Sequence, residues 1–204
     1  MSLLPLIFTA GWASGINAYA VVLLFGLFGA TGLSDDVPAG LQRADVLIAA
    51  AVLFLIEAVA DKVPYLDTFW DTLHTVVRPA TGAVVAALIA GSDDSLSQLA
   101  AAAVGGTTAL VSHLVKAGLR MAINTSPEPA SNIVTSAVED LAVAGVVTLA
   151  IFYPVAAAIV AGLFLLLGLV LITLLASRIR RYRRRRRERR RAGRTPASSI
   201  TSAD

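Results

Sequence analysis

In a chain of 204 residues, 56% hydrophobic content and a mean hydropathy of +0.74 exceed what a soluble domain needs to fill its core, so the surplus faces lipid. The net charge of +3 hides a split: twelve of the seventeen bases lie between Arg178 and Arg194, and before them five bases face twelve acids. An acidic apolar body with a cationic tail matches a membrane surface rather than a nucleic acid. With no cysteine, disulfides, thiolate metal sites and cysteine nucleophiles are excluded.

A helix needs about 20 apolar residues to cross the hydrocarbon core. Six runs qualify, at roughly 3–32, 44–61, 65–91, 97–121, 131–153 and 155–177. No basic segment precedes the first run between Met1 and Ile7, so it is expected to be retained rather than cleaved. That run is longer than one span and contains Gly11, Gly15 and Asn17, which marks it as tilted or broken. Turn chemistry separates the next runs: Ser34-Asp35-Asp36-Val37-Pro38, Gly91-Ser92-Asp93-Asp94 and Ser126-Pro127-Glu128-Pro129. Tyr153-Pro154 alone divides the last two. The expected fold is all-α, a polytopic transmembrane helix bundle of about six spans over residues 1–177. A basic, disordered tail is expected over residues 178–204, because its charges repel and the stretch after Ala192 is small and polar.

Lys and Arg near span ends stay cytoplasmic. With the Arg178 tail inside, six spans place Met1 inside as well, with Lys62, Lys116 and Arg120 near that face and Asp35, Asp36, Asp93 and Asp94 outside. Arg43 alone fits poorly. The tail is read first as an anchor that fixes topology; a sharper reading adds anionic lipid headgroups as partners of Arg178 to Arg194. No nucleic acid is expected, and a homo-oligomer is among the partners considered.

Charges inside the spans carry the functional signal, since a carboxylate near mid-bilayer costs at least about 2.5 kcal/mol and faces protein or water. Glu57 and Asp61 end the second run, four residues apart on one face. Asp67, Asp71, His74 and Arg78 stack on one stripe of the third, with Pro79 following as a kink. His113, Lys116 and Arg120 share a face of the fourth, and Glu139 and Asp140 lie in the fifth. One reading is structural: Glu57 and Asp61 pair with Lys116 and Arg120, and Arg78 with Asp71 or Glu139. On that reading a charge swap between Asp61 and Arg120 should recover what each single change loses. The other reading lines a polar or ion-binding path with Asn17, Asp67, Asp71, His74, Glu139 and Asp140. His74 with Asp67 or Asp71 offers metal-ligand types, but two histidines without a ligand motif assign no metal, and no cofactor is assigned. No nucleophile elbow, zinc-protease motif, phosphate loop or dinucleotide fingerprint appears, so no catalytic residue is assigned.

Pro64, Asp67, Asp71 and His74 can be laid over Pro129, Asn132, Ser136 and Glu139, each set following a charged helix end. The echo raises an internal duplication, with halves of opposite topology on either side of Gly91. These residues also carry a resemblance. Gly15-Ile16-Asn17-Ala18-Tyr19, Ala60-Asp61-Lys62-Val63-Pro64, Asp67, Asp71 and Arg78-Pro79 form one signature. His113, Lys116, Arg120, Asn124, Ser126-Pro127-Glu128-Pro129, Ser131-Asn132 and Glu139-Asp140 form a second. From about Gly11 to Tyr153 the chain resembles a family of bacterial integral membrane proteins, the domain of unknown function 4126. The resemblance implies a bacterial polytopic membrane protein and brings no activity with it; the expected location is the bacterial inner membrane. The expectation is a small transporter or channel for a polar solute or ion. The alternatives are a structural or accessory membrane protein and, less favoured, a membrane-embedded enzyme acting on lipid.

Overall fold

A computed structural model of the chain describes residues 3–63, 65–91, 95–124 and 129–192. These described residues form seven α-helices: α1 Leu3–Ile16, α2 Ala18–Ala30, α3 Ala44–Ala60, α4 Leu66–Ala90, α5 Ser95–Ile123, α6 Pro129–Phe152 and α7 Pro154–Ala192. A single 3-10 turn, Ala39–Leu41, sits between α2 and α3. No strand occurs among the described residues, and the all-α membrane bundle expected from the apolar runs is what forms. Four helices, Leu66–Ala90, Ser95–Ile123, Ala130–Phe152 and Pro154–Tyr182, are long and apolar enough to cross a membrane. Pro64, Ser92 to Asp94, Ser126 to Glu128 and residues 193–204, about which the sequence raised expectations, lie outside the described residues.

The second to sixth apolar runs each become one helix, but the first breaks in two. It folds into two apolar helices of 14 and 13 residues. At 1.5 Å per residue each is about 20 Å long, short of a core about 30 Å thick. The start of α1 borders a cavity of about 410 Å³ with Ala90 at the end of α4 and Ser97 at the start of α5. The far half of α2 returns to that same end. Leu6 and Phe25 line one small cleft with Ile89 of α4 and Ile151 of α6, and Phe28 meets the Phe152 ring edge-on at 6.5 Å. A Cβ on Gly26 would strike Leu47 in the first turn of α3. The pair is therefore a re-entrant hairpin whose tip, Asn17, turns back inside the protein. Non-helical backbone at membrane depth is tolerated where protein buries it, and Asn17 is buried.

The opposite end collects the close of α3 and α5 with the opening of α4 and α6. Arg120 donates to the Asp61 carbonyl at 2.7 Å, and Asn124 donates to Asp67 at 2.9 Å. Because the first run turns back, α1 starts at the end away from Lys62 and Arg120. The α3–α4 and α5–α6 hairpins also run in the same direction, so the matched stretches lie parallel rather than inverted. Asp67 and Asn132, equivalent in that match, lie 3.5 Å apart. Arg43, which fitted the charge rule poorly, is exposed and donates to Asp45 at 2.7 Å. That bond raises the guanidinium pKa above its ordinary value.

Close packing of α1, α4 and α5 relies on absent side chains. A Cβ on Gly11 would lie 2.6 Å from the Gly105 carbonyl, and one on Gly15 would collide with the Ala109 carbonyl. Small residues let membrane helices approach where lipid removes the hydrophobic drive for association. The outer surface is apolar instead: Val76 is 74% exposed and Leu141 72%. Along α4 the expected stripe of Asp67, Asp71, His74 and Arg78 is buried while Phe69, Leu73 and Val76 face outward. Pro79 sits inside that helix without ending it.

The chain divides into two compact units, Met1–Gly168 and Leu169–Asp204. In the first, the opening of α7 packs Phe164 against Trp12 at 5.8 Å. In the second, α7 continues as helix to Ala192. Arginine is a good helix former, and extending an existing helix needs no new nucleus, so like-charge repulsion is outweighed.

A buried ionic cluster at the tip of the hairpin

Asn17 makes the helix break by exchanging partners. Its backbone is extended, φ −146° and ψ 98°, and its side-chain oxygen accepts from the Ala20 N–H at 2.9 Å, capping α2. In a continuous helix Ala20 would donate to the Ile16 carbonyl. That carbonyl instead accepts from Lys116 Nζ at 2.9 Å. A cation at the carboxyl end of a helix also suits the helix dipole. The Asn17 amide, left free by the cap, donates to Asp140 Oδ1 at 3.2 Å.

Beyond the tip, Arg78 forms one centre. Its Nη2 donates to Glu57 Oε1 at 2.7 Å and its Nη1 to Asp71 Oδ1 at 2.8 Å. Nη1 also reaches His113 Nδ1 at 2.8 Å. A guanidinium only donates, so Nδ1 accepts and the His113 proton sits on Nε2, 3.1 Å from the Thr75 hydroxyl. His74 Nδ1 donates to the Trp70 carbonyl at 2.8 Å, and Nε2 lies 2.9 Å from the Tyr19 hydroxyl. His113 is thus neutral in this arrangement. Tyr19, two residues past the hairpin tip, ties α2 to α4.

Lys116 and Arg120 form the second centre. Lys116 Nζ lies 2.7 Å from Asp61 Oδ2, 3.5 Å from Glu139 and 3.7 Å from Glu57. Arg120 binds Glu139 Oε2 at 2.5 Å and Asp61 Oδ2 at 3.3 Å. Asp67 is 3.8 Å from Arg120 and is satisfied otherwise: Asn124 reaches both its oxygens at 2.9 Å, and the Thr68 N–H donates at 2.6 Å. Lys62 stands apart, donating to the Ala58 carbonyl at 2.7 Å and lying 3.5 Å from Ser136.

The geometry divides the residues differently from the sequence. Glu57, Asp61, Arg78, Lys116 and Arg120 do meet, but Glu57 binds Arg78 first and Glu139 belongs to Arg120 and Lys116. Asp67, Asp71 and Glu139 are ion-paired or hydrogen-bonded within the cluster, whereas Asn17 and Asp140 form a separate pair at the tip. No group of three His, Asp or Glu side chains is arranged to hold a metal among the described residues. Tyr19, Thr75 and the Ile16 carbonyl escaped the sequence reading. Tyr19 lies within the motif around Asn17, which was a signal; nothing in the sequence marked a main-chain carbonyl or Thr75.

Residues 4–174 match the family described as Domain of unknown function (DUF4126). The chain belongs to this family. The matched region takes in both family signatures, the re-entrant hairpin and every residue of the ionic cluster, and leaves the whole Arg-rich segment from Arg178 outside. No curated protein and no solved structure matches the chain.

Proposed function

We propose that this family member is a small transporter or channel for a polar solute or ion, held here in a closed state. One observation carries the reading: a re-entrant helix pair breaks at Asn17 beside buried charges, with a half-helix carboxyl end on Lys116. Broken helices that meet ionisable groups within the membrane are how secondary transporters build substrate and ion sites. Reconstitution into liposomes tests it. Flux of ions or polar solutes is expected with the native protein and is expected to vanish in Asp71→Asn. A panel of such solutes showing no flux would sink the reading. A second reading, a structural or accessory membrane protein, is favoured by the closed ion pairs around Arg120. An enzyme acting on lipid has no assigned catalytic group to support it.

By the positive-inside rule we further propose that the end bearing Lys62 and Arg120 is cytoplasmic, which puts the start of α1 on the outer face. The chain has no cysteine, so a single Ser2→Cys variant can be read directly. Labelling from outside intact cells by a membrane-impermeant maleimide is expected; labelling only after lysis would reverse the topology. The family resemblance supports the bacterial inner membrane. The basic segment from Arg178 supports anionic headgroups as partners.

A further inference from the structure

We infer that the solute is a small zwitterion, one molecule bearing an ammonium and a carboxylate as an amino acid does, and that it binds between Lys62 and Asp140 beside the hairpin tip. The inference rests on the transport reading and names its solute class. Among the described charged side chains from Glu57 to Asp140, every one but these two makes an ion pair. Glu57 and Asp71 pair with Arg78, Asp61 and Glu139 with Lys116 and Arg120, and Asp67 with Arg120 at 3.8 Å. Lys62 and Asp140 carry opposite charges and still do not pair with each other. Both are partly exposed, whereas the paired side chains, Glu139 apart, are buried. A charge within a bundle needs an opposite partner, and here two such needs of opposite sign stand side by side.

Helix α6 sets their spacing. Lys62 Nζ lies 3.5 Å from Ser136 Oγ, and Asp140 stands one turn further along the same helix, about 6 Å at 1.5 Å per residue. That step exceeds the roughly 4 Å of a direct ion pair, and a solute whose amine and carboxyl share one carbon bridges it with a hydrogen bond at each end. Lys62 gives one hydrogen to the Ala58 carbonyl at 2.7 Å and keeps others for a solute carboxylate. Ser136 can only accept from Lys62, so its own hydroxyl hydrogen is free for the same carboxylate. Asp140 Oδ1 accepts from the Asn17 amide at 3.2 Å, and among the described residues no bond reaches its Oδ2, which is left for a solute ammonium. Asn132, Ser136 and Asp140 share one face of α6, and the next positions on that face, Val143 and Val147, are apolar and buried. The polar face therefore ends level with the hairpin tip. Asp61 and Lys116 also act on Asp140, but they are paired with each other at 2.7 Å and cancel. A lone cation or a lone anion would leave one of the two charges unmet, and a zwitterion meets both.

Thermal melting of the full-length detergent-solubilised protein, with the twenty protein amino acids added singly at rising concentration, tests it. At least one is expected to raise the melting temperature saturably, by about 5–10 °C at a hundredfold excess over its dissociation constant. The matching amine without the carboxyl, and the matching acid without the amine, should give far smaller shifts. Lys62→Met and Asp140→Asn break no ion pair, so each should melt near the native protein without ligand and should lose the shift. Lys62→Arg keeps the charge and should keep part of the shift, which separates lost binding from lost folding. No response to any amino acid, an amine or an acid alone that stabilises as strongly, or a full shift in both charge-removing variants would each overturn the proposal. Binding with no flux in liposomes would uphold this site and sink the transport reading alone.

Discussion

Replacing Lys116 with methionine is expected to lower the stability of the solubilised protein by about 3–5 kcal/mol, the cost of removing one partner from a buried ionic group. The two side chains have similar length, so the change removes a charge more than it removes packing. Lys116 Nζ holds Asp61 at 2.7 Å and the Ile16 carbonyl at 2.9 Å, and the ammonium and the Asp61 carboxylate are both buried. Without it Asp61 keeps only Arg120, and the Ile16 carbonyl at the helix break has lost its donor. Lost charge pairing and an orphaned main-chain carbonyl act in the same direction. Thermal unfolding of the purified variant, followed by helical circular dichroism, checks the size of the effect. Melting indistinguishable from the native protein would show that the ammonium does not hold the hairpin tip. Lys116→Arg keeps the charge but brings a planar fork where a compact ammonium sits among three carboxylates, so only partial retention is expected.

The Asp61→Arg/Arg120→Asp double variant is expected to be no more stable than either single variant, each again losing about 3–5 kcal/mol. Sequence alone suggested a simple pair that a swap would restore. In the fold Asp61 also binds Lys116, and Arg120 also binds Glu139 at 2.5 Å. A swapped arginine at 61 would face Lys116, and a swapped aspartate at 120 would face Glu139 and Asp67. The Arg120 bond to the Asp61 carbonyl, at 2.7 Å, would disappear as well, because it depends on a main-chain acceptor that no swap moves. Melting temperatures of the four proteins form a double-mutant cycle. Recovery in the double variant would mean that Asp61 and Arg120 act as an isolated pair.

Sequence by itself determined the solvent, the fold class and the inward stripe of α4. Lipid leaves apolar runs of about 20 residues few alternatives to helix, and Asp67, Asp71, His74 and Arg78 at helical spacing must share a face that avoids lipid. It also brought Asp61 together with Lys116 and Arg120, since buried charges of opposite sign need one another. Only the tertiary structure decided that the first run turns back at Asn17. An apolar run of that length serves equally well as one tilted span or as two half-length helices, and the choice rests on where Phe25 and Phe28 find partners in Ile89, Ile151 and Phe152. The partner exchange that makes the break, Asn17 to Ala20 and Lys116 to Ile16, joins residues up to 100 positions apart and uses a carbonyl present in every residue. The division of the charges into one centre on Arg78 and another on Lys116 and Arg120 was likewise tertiary. Helical spacing places side chains on a face but does not say which helix will stand opposite, and that contact leaves Glu57 and Asp71 with one guanidinium between them.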